Sequence, residues 1–450
     1  MAHRVVGIDF GHDRIRGVEV EDPGTRRERV LRRGAVPLEP GALASGEVRD
    51  VPAVAAALGR LWQQAGFRTR RVVLGLGNAR VLVRDLEVPA RPREQIREQL
   101  HFLVADLLPM PTEQAVLDFH PVREVTDERG AEHLAGLLVV ALNEVAMTNA
   151  RAATQARLEV VGIDLIPFAL VRRLADPDSR ETVAFVDVGA TTTIVTVAVG
   201  RTPVFCRIVP AGGEEVTRSL IELGQLSREQ AEQVKRTIGL TAEGVEPRYR
   251  PVVELMVTRT SELMTSIRDT LSYFVDNRGQ AVERIVLTGG GARLGGFAEM
   301  VAAWTRIPTE LADTDPDAEF LVATALADGA RHTAARQQAS RRAATAAPSA
   351  SAAAPVGPEA EPAASGKPHE PSGPPDAAPE PLATDTAAAP IIVIDEPPAG
   401  PSAPGPSMAA PSSREPSASE ETRLGMPGGI APEAPEARPS RGRFGRGTER

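Results

Sequence analysis

Two segments of the chain end in the same short pattern, an aspartate two positions before a glycine. The first holds Asp9 and Gly11 after an apolar run, and the second holds Asp187 and Gly189 after another. A carboxylate at the end of a strand can hold Mg²⁺ through water or orient a water molecule for hydrolysis. Glycine lets backbone N–H groups come close to an anion. The pattern therefore predicts phosphate chemistry, in which Asp9 and Asp187 either hold a metal ion or orient a water molecule.

Two further glycine clusters lie at predicted junctions between strands and helices. Gly289, Gly290 and Gly291 follow a short apolar strand, and only residues this small let a flat base lie against the backbone. Gly212 and Gly213 open another predicted helix. Small-residue turns at four strand ends predict a nucleotide held in a cleft between two lobes.

These turns must be positioned by a fold in which strands and helices alternate. Residues 5–20 and 183–199 both read as two apolar strands around a polar turn, so the first part of the chain is repeated in the second. Alternating strands and helices predict an α/β fold. The repeat predicts two lobes, 1–180 and 181–335, and the family resemblance described below implies a small inserted subdomain at about 80–158.

The C-terminal part of the chain has a different composition. Residues 336–450 hold more than half of the 39 prolines, with Ala, Ser, Gly and Glu filling most of the rest. Such a segment buries too little apolar surface to offset its chain entropy, so we expect a disordered tail. Residues 391–396, Ile-Ile-Val-Ile-Asp-Glu, interrupt it. They are either a docking peptide that adds to the sheet edge of a partner or a chance apolar cluster.

Composition excludes several classes of protein. The net charge of −9 and the 3% of aromatic residues argue against a nucleic-acid partner. The single cysteine, Cys206, excludes an intrachain disulfide framework and a cysteine-rich zinc site. The start Met-Ala-His-Arg leads into a strand, and the longest uncharged run before the tail, 188–200, is too short for a bilayer. We therefore expect a cytoplasmic protein without a transmembrane segment of its own, peripheral to the membrane through a partner.

The motifs carry a family resemblance. Segments 6–16, 186–193 and 285–292 resemble the two phosphate motifs and the adenosine motif of the actin, heat-shock chaperone and sugar kinase superfamily. Within it, the chain resembles the PilM family of type IV pilus assembly proteins, relatives of the cell-division protein FtsA. Segments 87–89 and 162–170 add to that likeness. The resemblance implies an actin-like, ribonuclease H-like two-lobed ATPase fold with an inserted small α+β subdomain.

The resemblance also implies an ATP and Mg²⁺ site. Asp9 and Asp187 would face the metal, and Asp187 would position the attacking water. The positions that would bind the nucleotide itself are Gly11, Gly189, Thr191, Gly212, Gly213, Glu232, Lys235, Gly289, Gly290 and Gly291. Glu232 and Lys235 share one helix face and would contact ribose and base, or they form a surface ion pair instead.

The function implied by the resemblance is that of a cytoplasmic ATP-binding scaffold, and at most a weak ATPase. Its expected partner is the N-terminal peptide of a PilN-like bitopic inner-membrane protein, bound between the first lobe and the insertion. Pilus motor ATPases and self-association are further expected interactions. The alternatives are an FtsA-like filament-forming protein and a scaffold that has lost ATP hydrolysis.

The first phosphate loop departs from the family pattern. His12 and Asp13 stand where relatives have serine hydroxyls, and a carboxylate beside a triphosphate repels it unless Mg²⁺ or Arg14 compensates. Replacing both with serine is then expected to tighten ATP binding about tenfold. In the competing interpretation, Asp13 faces solvent, backbone N–H groups alone hold the phosphates, and the replacement changes nothing.

Overall fold

The structure is a computed structural model that describes residues 3–241, 245–312 and 318–330. Its strands are β1 (Arg4–Phe10), β2 (Arg14–Glu21), β3 (Arg29–Pro37), β4 (Leu43–Ala44), β5 (Glu47–Val48), β6 (Arg71–Leu76), β7 (Val81–Pro89), β8 (Ala115–Thr126), β9 (Glu132–Leu142), β10 (Glu159–Leu165), β11 (Thr182–Val188), β12 (Thr193–Val199), β13 (Thr202–Val209), β14 (Arg284–Thr288) and β15 (Thr309–Leu311). Its helices are α1 (Val51–Ala65), α2 (Arg93–Leu103), α3 (Asn143–Gln155), α4 (Ile166–Leu174), α5 (Glu214–Gly224), α6 (Arg228–Ile238), α7 (Arg250–Arg278), α8 (Phe297–Thr305) and α9 (Leu321–Asp328).

Two five-stranded sheets have the same arrangement. The first runs β10-β6-β1-β2-β3 and the second runs β13-β12-β11-β14-β15. In each, the leading strand pairs antiparallel with the next strand and parallel with a later one: β1 with β2 and β6, and β11 with β12 and β14. The α/β class and the repeat predicted from the sequence are both present.

Each sheet has its own apolar core. In the first, Val6 and Ile8 of β1 pack with Leu58 and Leu61 of α1, and all four are fully buried. In the second, α7 supplies a long stripe that includes Ile267 against β11 and β14. Because the helix covers the sheet face from which the strand side chains project, the ends of β1 and β11 are held rigidly.

The last helix returns to the first sheet. α9 follows the second sheet in sequence, yet it packs on β1, β2 and α4. The approach is so close that a Cβ atom on Gly7 would lie 1.8 Å from the carbonyl oxygen of Ala323. Arg172 of α4 ties the same region together, since its guanidinium donates to Asp164 at 2.5 Å and to the Ala325 carbonyl at 3.2 Å.

A third, smaller sheet, β7-β9-β8, lies between β6 and β10 in sequence. α2 covers one of its faces through Leu100, and the other face joins an apolar cluster with Ile194 and Cys206 of the second sheet. An ion pair between Asp85 and Arg278 reinforces that junction. The following helix, α3, packs on α1 of the first sheet.

None of the helices within the described ranges is both long and apolar enough to cross a lipid bilayer. The tail predicted to be disordered and its segment 391–396 lie outside the described residues.

Candidate functional site

The aspartates of the repeat occupy equivalent places, at the ends of β1 and β11. Asp187 accepts a hydrogen bond from the Thr288 hydroxyl at 2.8 Å. Burial raises the pKa of Asp187 to about 6 and the negative charge of Asp9 adds to the rise, although the Thr288 bond and Arg16 oppose it. The carboxylates of Asp9 and Asp187 are therefore close enough to interact electrostatically.

Asp9 faces one arginine. Nη1 of Arg16 lies 3.5 Å from Oδ2 of Asp9. Burial still raises the pKa of Asp9, because this long contact only partly offsets the cost of taking the carboxylate out of water. The same Nη1 would lie 2.5 Å from a Cβ atom on Gly11, and the Arg14 carbonyl oxygen would lie 3.0 Å from it.

Gly11 and Gly189 close two equivalent turns. The Gly11 N–H donates to the Arg14 carbonyl at 3.1 Å, and the Gly189 N–H donates to the Thr192 carbonyl at 2.9 Å. Since both N–H groups hold their own turns, phosphate oxygens would have to be met by the N–H groups that follow them. Thr191 lies half-buried in the second turn, among those following residues.

Gly212 and Gly213 allow the start of α5 to pack closely against the turn that begins at Gly189. The Gly213 N–H donates to the Gly189 carbonyl at 3.0 Å. A Cβ atom on Gly212 would lie 2.6 Å from the carbonyl oxygens of Gly189 and Ala190. These two glycines therefore pack directly against the backbone of the turn at Gly189 and Ala190.

Glu232 and Lys235 do form an ion pair, at 2.9 Å, but it is not a surface pair. The Lys235 side chain is only 12% exposed. Its ammonium group also donates to the Gly213 carbonyl at 3.1 Å and to the Thr217 hydroxyl at 2.8 Å. The pair thus links α6 to the Gly213 turn, and Thr217, which the sequence reasoning missed, lies at its centre.

The three consecutive glycines differ in their surroundings. Gly289 has a φ of +87° and a Cβ atom there would lie 2.4 Å from the Val188 carbonyl oxygen. Gly291 packs as closely, with 2.6 Å between such an atom and Val188 Cγ1. A Cβ atom on Gly290 would meet no described atom within 4 Å. Gly289 and Gly291 therefore hold the turn on β11, while the backbone of Gly290 faces open space.

The first turn keeps its two unusual side chains away from each other. Asp13 is 53% exposed and pairs with Arg14 at 2.9 Å. His12 points toward the second lobe, with its Nε2 3.6 Å from Oε2 of Glu214. This placement favours the interpretation in which backbone N–H groups alone meet the phosphates.

The carboxylates fit a magnesium ion. Burial raises the pKa of both Asp9 and Asp187, so the protein leaves them short of positive charge. Within the described residues no group of three or more His, Cys, Asp and Glu side chains gathers into a metal cluster. A magnesium ion held by one or two carboxylates and completed by water and phosphate oxygens needs no such cluster.

Sequence and structure comparisons find clear relatives. The family model of the type IV pilus assembly protein PilM matches residues 7–336. A solved PilM-PilN type IV pilus biogenesis complex is similar with a TM-score of 0.63 and 25% identity, over 72% of this chain and 98% of that one. Cell division protein FtsA of Bacillus subtilis (strain 168) is 24% identical over 300 residues, covering 59% of this chain and 68% of FtsA. MreB5 of Spiroplasma citri bound to AMPPNP aligns at 11% identity over 75% of this chain and 98% of that one, with a TM-score of 0.48.

Proposed function

The chain belongs to the PilM family of type IV pilus assembly proteins and has its actin-like fold, and from this we propose that it is an ATP-binding scaffold of a pilus or related secretion machine. The observation that carries the nucleotide part is the pair Asp9 and Asp187, which lie at the ends of the equivalent strands β1 and β11, interact electrostatically and have pKa values raised by burial. Two desolvated carboxylates beside glycine turns favour a site for Mg²⁺ and phosphates.

Each part of the cleft has a task in this proposal. Asp9 and Asp187 would hold Mg²⁺, which neutralises phosphate charge when bound. The turns that begin at Gly11 and Gly189 would meet the phosphates with N–H groups. Gly290 would carry the adenine, while Lys235 would keep the Gly213 turn in place. Thr288 fixes the direction of the Asp187 carboxylate, which limits the positions that a water molecule can take.

Hydrolysis is proposed as weak at most, because Arg16 occupies one side of Asp9, where a metal ion would bind. Burial raises the pKa of Asp187 to about 6, close to neutral pH, so its carboxylate would still orient a water molecule and accept a proton from it. The alternative of a scaffold that binds ATP without hydrolysing it differs only in the turnover rate.

Asp187→Asn tests this proposal, with Asp269→Asn as the matched control because Asp269 is an exposed carboxylate on the outer side of α7. Calorimetric titration with Mg²⁺–ATP should give at least tenfold weaker binding for Asp187→Asn and an unchanged affinity for the control. Single-turnover measurements of ATP hydrolysis distinguish a weak ATPase from a scaffold that binds ATP without hydrolysing it. Absence of Mg²⁺–ATP binding by the unmodified protein would overturn the nucleotide proposal.

We also propose that the junction of the insertion and the first lobe binds the cytoplasmic N-terminal peptide of a PilN-like membrane protein. Val116 of β8 and Met147 of α3 are both exposed, and their elements contact each other. Exposed apolar side chains on neighbouring elements favour an extended apolar peptide. Such binding would keep the protein at the inner face of the membrane.

A labelled synthetic peptide of that N-terminus provides the measurement. Met147→Arg should weaken binding at least tenfold, because a charge replaces an apolar contact. Leu223→Arg is the control, since Leu223 is also an exposed apolar residue and lies on α5 of the second lobe. Equal affinities for both variants would place the peptide elsewhere.

The likeness to FtsA supports a second candidate, a filament-forming protein. Sedimentation of the full chain with Mg²⁺–ATP distinguishes the two: an ATP-dependent pellet favours filaments. Contacts with pilus motor ATPases and the division of the chain at about residue 180 remain proposals that depend on the same family membership.

A further inference from the structure

The first sheet has one edge that lies opposite the strand end carrying Asp9. β1, β6 and β10 run parallel, and β2 and β3 continue from β1 as antiparallel neighbours, so β1, β3, β6 and β10 begin at this edge and β2 ends there. Arg4 lies opposite Glu21, and Glu21 lies opposite Arg29, which places all three at this edge. Three connections therefore meet here: 22–28 before β3, 66–70 before β6 and 156–158 before β10.

These connections and the start of β3 carry many positive charges. Six arginines there are exposed and form no ion pair within the described residues: Arg26, Arg27, Arg29, Arg68, Arg70 and Arg157. We call these six residues the basic edge. Their guanidinium groups keep their full charge toward solvent.

The acidic residues at this edge are fewer. Glu21 and Glu28 are engaged in ion pairs with Arg4 and Arg173, at 2.7 and 2.5 Å. The carboxylates without an ion pair in the described part of the chain are Asp22 and Glu159, with Asp176 and Asp178 balanced in part by Arg180 in the connection after α4. Positive charge therefore remains in excess.

The cations of the basic edge are spread over the width of the sheet. β10 and β3 are its outer strands and lie four strand spacings apart, which makes the basic edge about 19 Å wide. This width exceeds that of a single phosphate group, and the arginines belong to three separate connections. A guanidinium can bind two oxygens of a phosphate at once. The arrangement therefore fits an extended surface of phosphate groups.

We propose that the basic edge binds the anionic surface of a lipid bilayer. Lipid headgroups present phosphates over a plane, as this spacing of arginines requires. Each arginine close to an anionic bilayer strengthens binding about fivefold, so several of them together give reversible attachment. Val30, which is 44% exposed beside Arg29, adds an apolar side chain to the contact.

The net charge of −9 does not prevent this contact. At a salt concentration of about 0.1 M, charges more than about 10 Å from the bilayer are largely screened, so the bilayer interacts mainly with the basic edge. The contact would also orient the protein, with the end of β1 that carries Asp9 facing away from the membrane. It uses none of the residues assigned to the nucleotide or to the PilN-like peptide, and so it goes beyond both proposals.

Sedimentation of the full chain with lipid vesicles tests the proposal without nucleotide or peptide. The vesicles contain phosphatidylcholine alone or phosphatidylcholine mixed with phosphatidylglycerol. We expect binding to the anionic vesicles only, weakened at least tenfold when the salt concentration rises from about 0.05 to about 0.5 M. Absence of binding to anionic vesicles at the lower salt concentration would overturn the proposal.

Matched substitutions locate the contact. The triple variant Arg26→Gln, Arg27→Gln and Arg29→Gln should bind anionic vesicles at least tenfold more weakly than the unmodified protein. The control replaces exposed arginines on α5, α6 and α7 of the second lobe with the same loss of charge: Arg218→Gln, Arg236→Gln and Arg259→Gln. It should bind like the unmodified protein. Equal losses in both triple variants would overturn the proposal, because net charge alone would then govern binding.

A second variant tests whether the surface is continuous. Arg68→Gln, Arg70→Gln and Arg157→Gln change the other two connections and should also weaken binding at least tenfold. Full binding by this variant would overturn the proposed surface. Tighter binding to a DNA duplex than to anionic vesicles at the same salt concentration would overturn the choice of a bilayer in favour of a nucleic acid.

Discussion

Nε2 of His12 lies 3.6 Å from Oε2 of Glu214, so the first turn of one lobe contacts the first residue of α5 in the other. Arg228 binds the same carboxylate with two N–H groups, at 2.8 and 2.5 Å. Burial alone would raise the pKa of Glu214, but Arg228 outweighs it and the pKa is lowered. The carboxylate therefore stays ionised and available to His12 across the cleft.

Asp13→Ser is expected to change the affinity for Mg²⁺–ATP by less than about threefold. Asp13 is exposed and already neutralised by Arg14, so removing its charge relieves little repulsion. Calorimetric titration measures the effect. A gain of about tenfold, or 1.4 kcal/mol, would show instead that the carboxylate faces the phosphates. His12→Ser, made separately, reports the contribution of the contact with Glu214.

Lys235→Gln is expected to weaken Mg²⁺–ATP binding about tenfold and to lower the melting temperature by roughly 2–4 °C. The substitution removes the hydrogen bond to the Gly213 carbonyl and leaves Glu232 without its closest cation. Arg236→Gln is the control, because Arg236 is exposed and lies 4.0 Å from the same glutamate. Equal losses in both variants would mean that Lys235 contributes charge alone.

Gly7→Ala is expected to lower the melting temperature by at least about 3 °C, because the new methyl group meets the backbone of α9 at Ala323 and Ala327. Gly59→Ala should raise the stability by about 0.5–1 kcal/mol. Gly59 lies within α1, where a Cβ atom would meet nothing within 4 Å. Thermal unfolding compares the two. A neutral Gly7→Ala would contradict the close contact between β1 and α9.

The contribution of Asp328 to the stability of the protein is expected to fall as the pH rises from about 4 to about 7. Burial raises the pKa of Asp328 to about 7 and Glu28 adds to the rise, although Arg173 opposes it. A raised folded-state pKa contributes stability that is complete below the unfolded pKa near 3.8 and is lost as the pH rises through the folded value.

Asp328→Asn should remove this dependence. The melting temperature of the variant relative to the unmodified protein should rise by at least roughly 2 °C between pH 4.5 and pH 8. Asp178→Asn, on an exposed loop, is the control. A constant difference between Asp328→Asn and the unmodified protein across this range would show that Asp328 titrates normally.

Short sequence patterns predicted those parts of the candidate site that are formed by a single strand and the turn after it. The Asp-x-Gly repeat, with Asp9 and Asp187 at strand ends, lies where the alternation of strands and turns indicated. The contacts of Thr217 and Thr288 were not predicted, because a hydroxyl near a glycine cluster gives no signal until the helices are packed. The packing of α9 against Gly7 could not be predicted either, since the two lie more than 300 positions apart in the sequence and share no pattern.

Lys235 is one of only two lysines in the sequence, and the other, Lys367, lies in the tail. Almost every other cationic side chain is an arginine. An amine-directed reagent can therefore modify one side chain before the tail, and that side chain, Lys235, lies in the candidate site. The rate at which Lys235 is acylated therefore reports how firmly the Gly213 turn holds its ammonium group, and no engineered label is needed. A ligand that tightens this turn should slow the reaction at Lys235 and leave Lys367 as an internal standard in the same molecule.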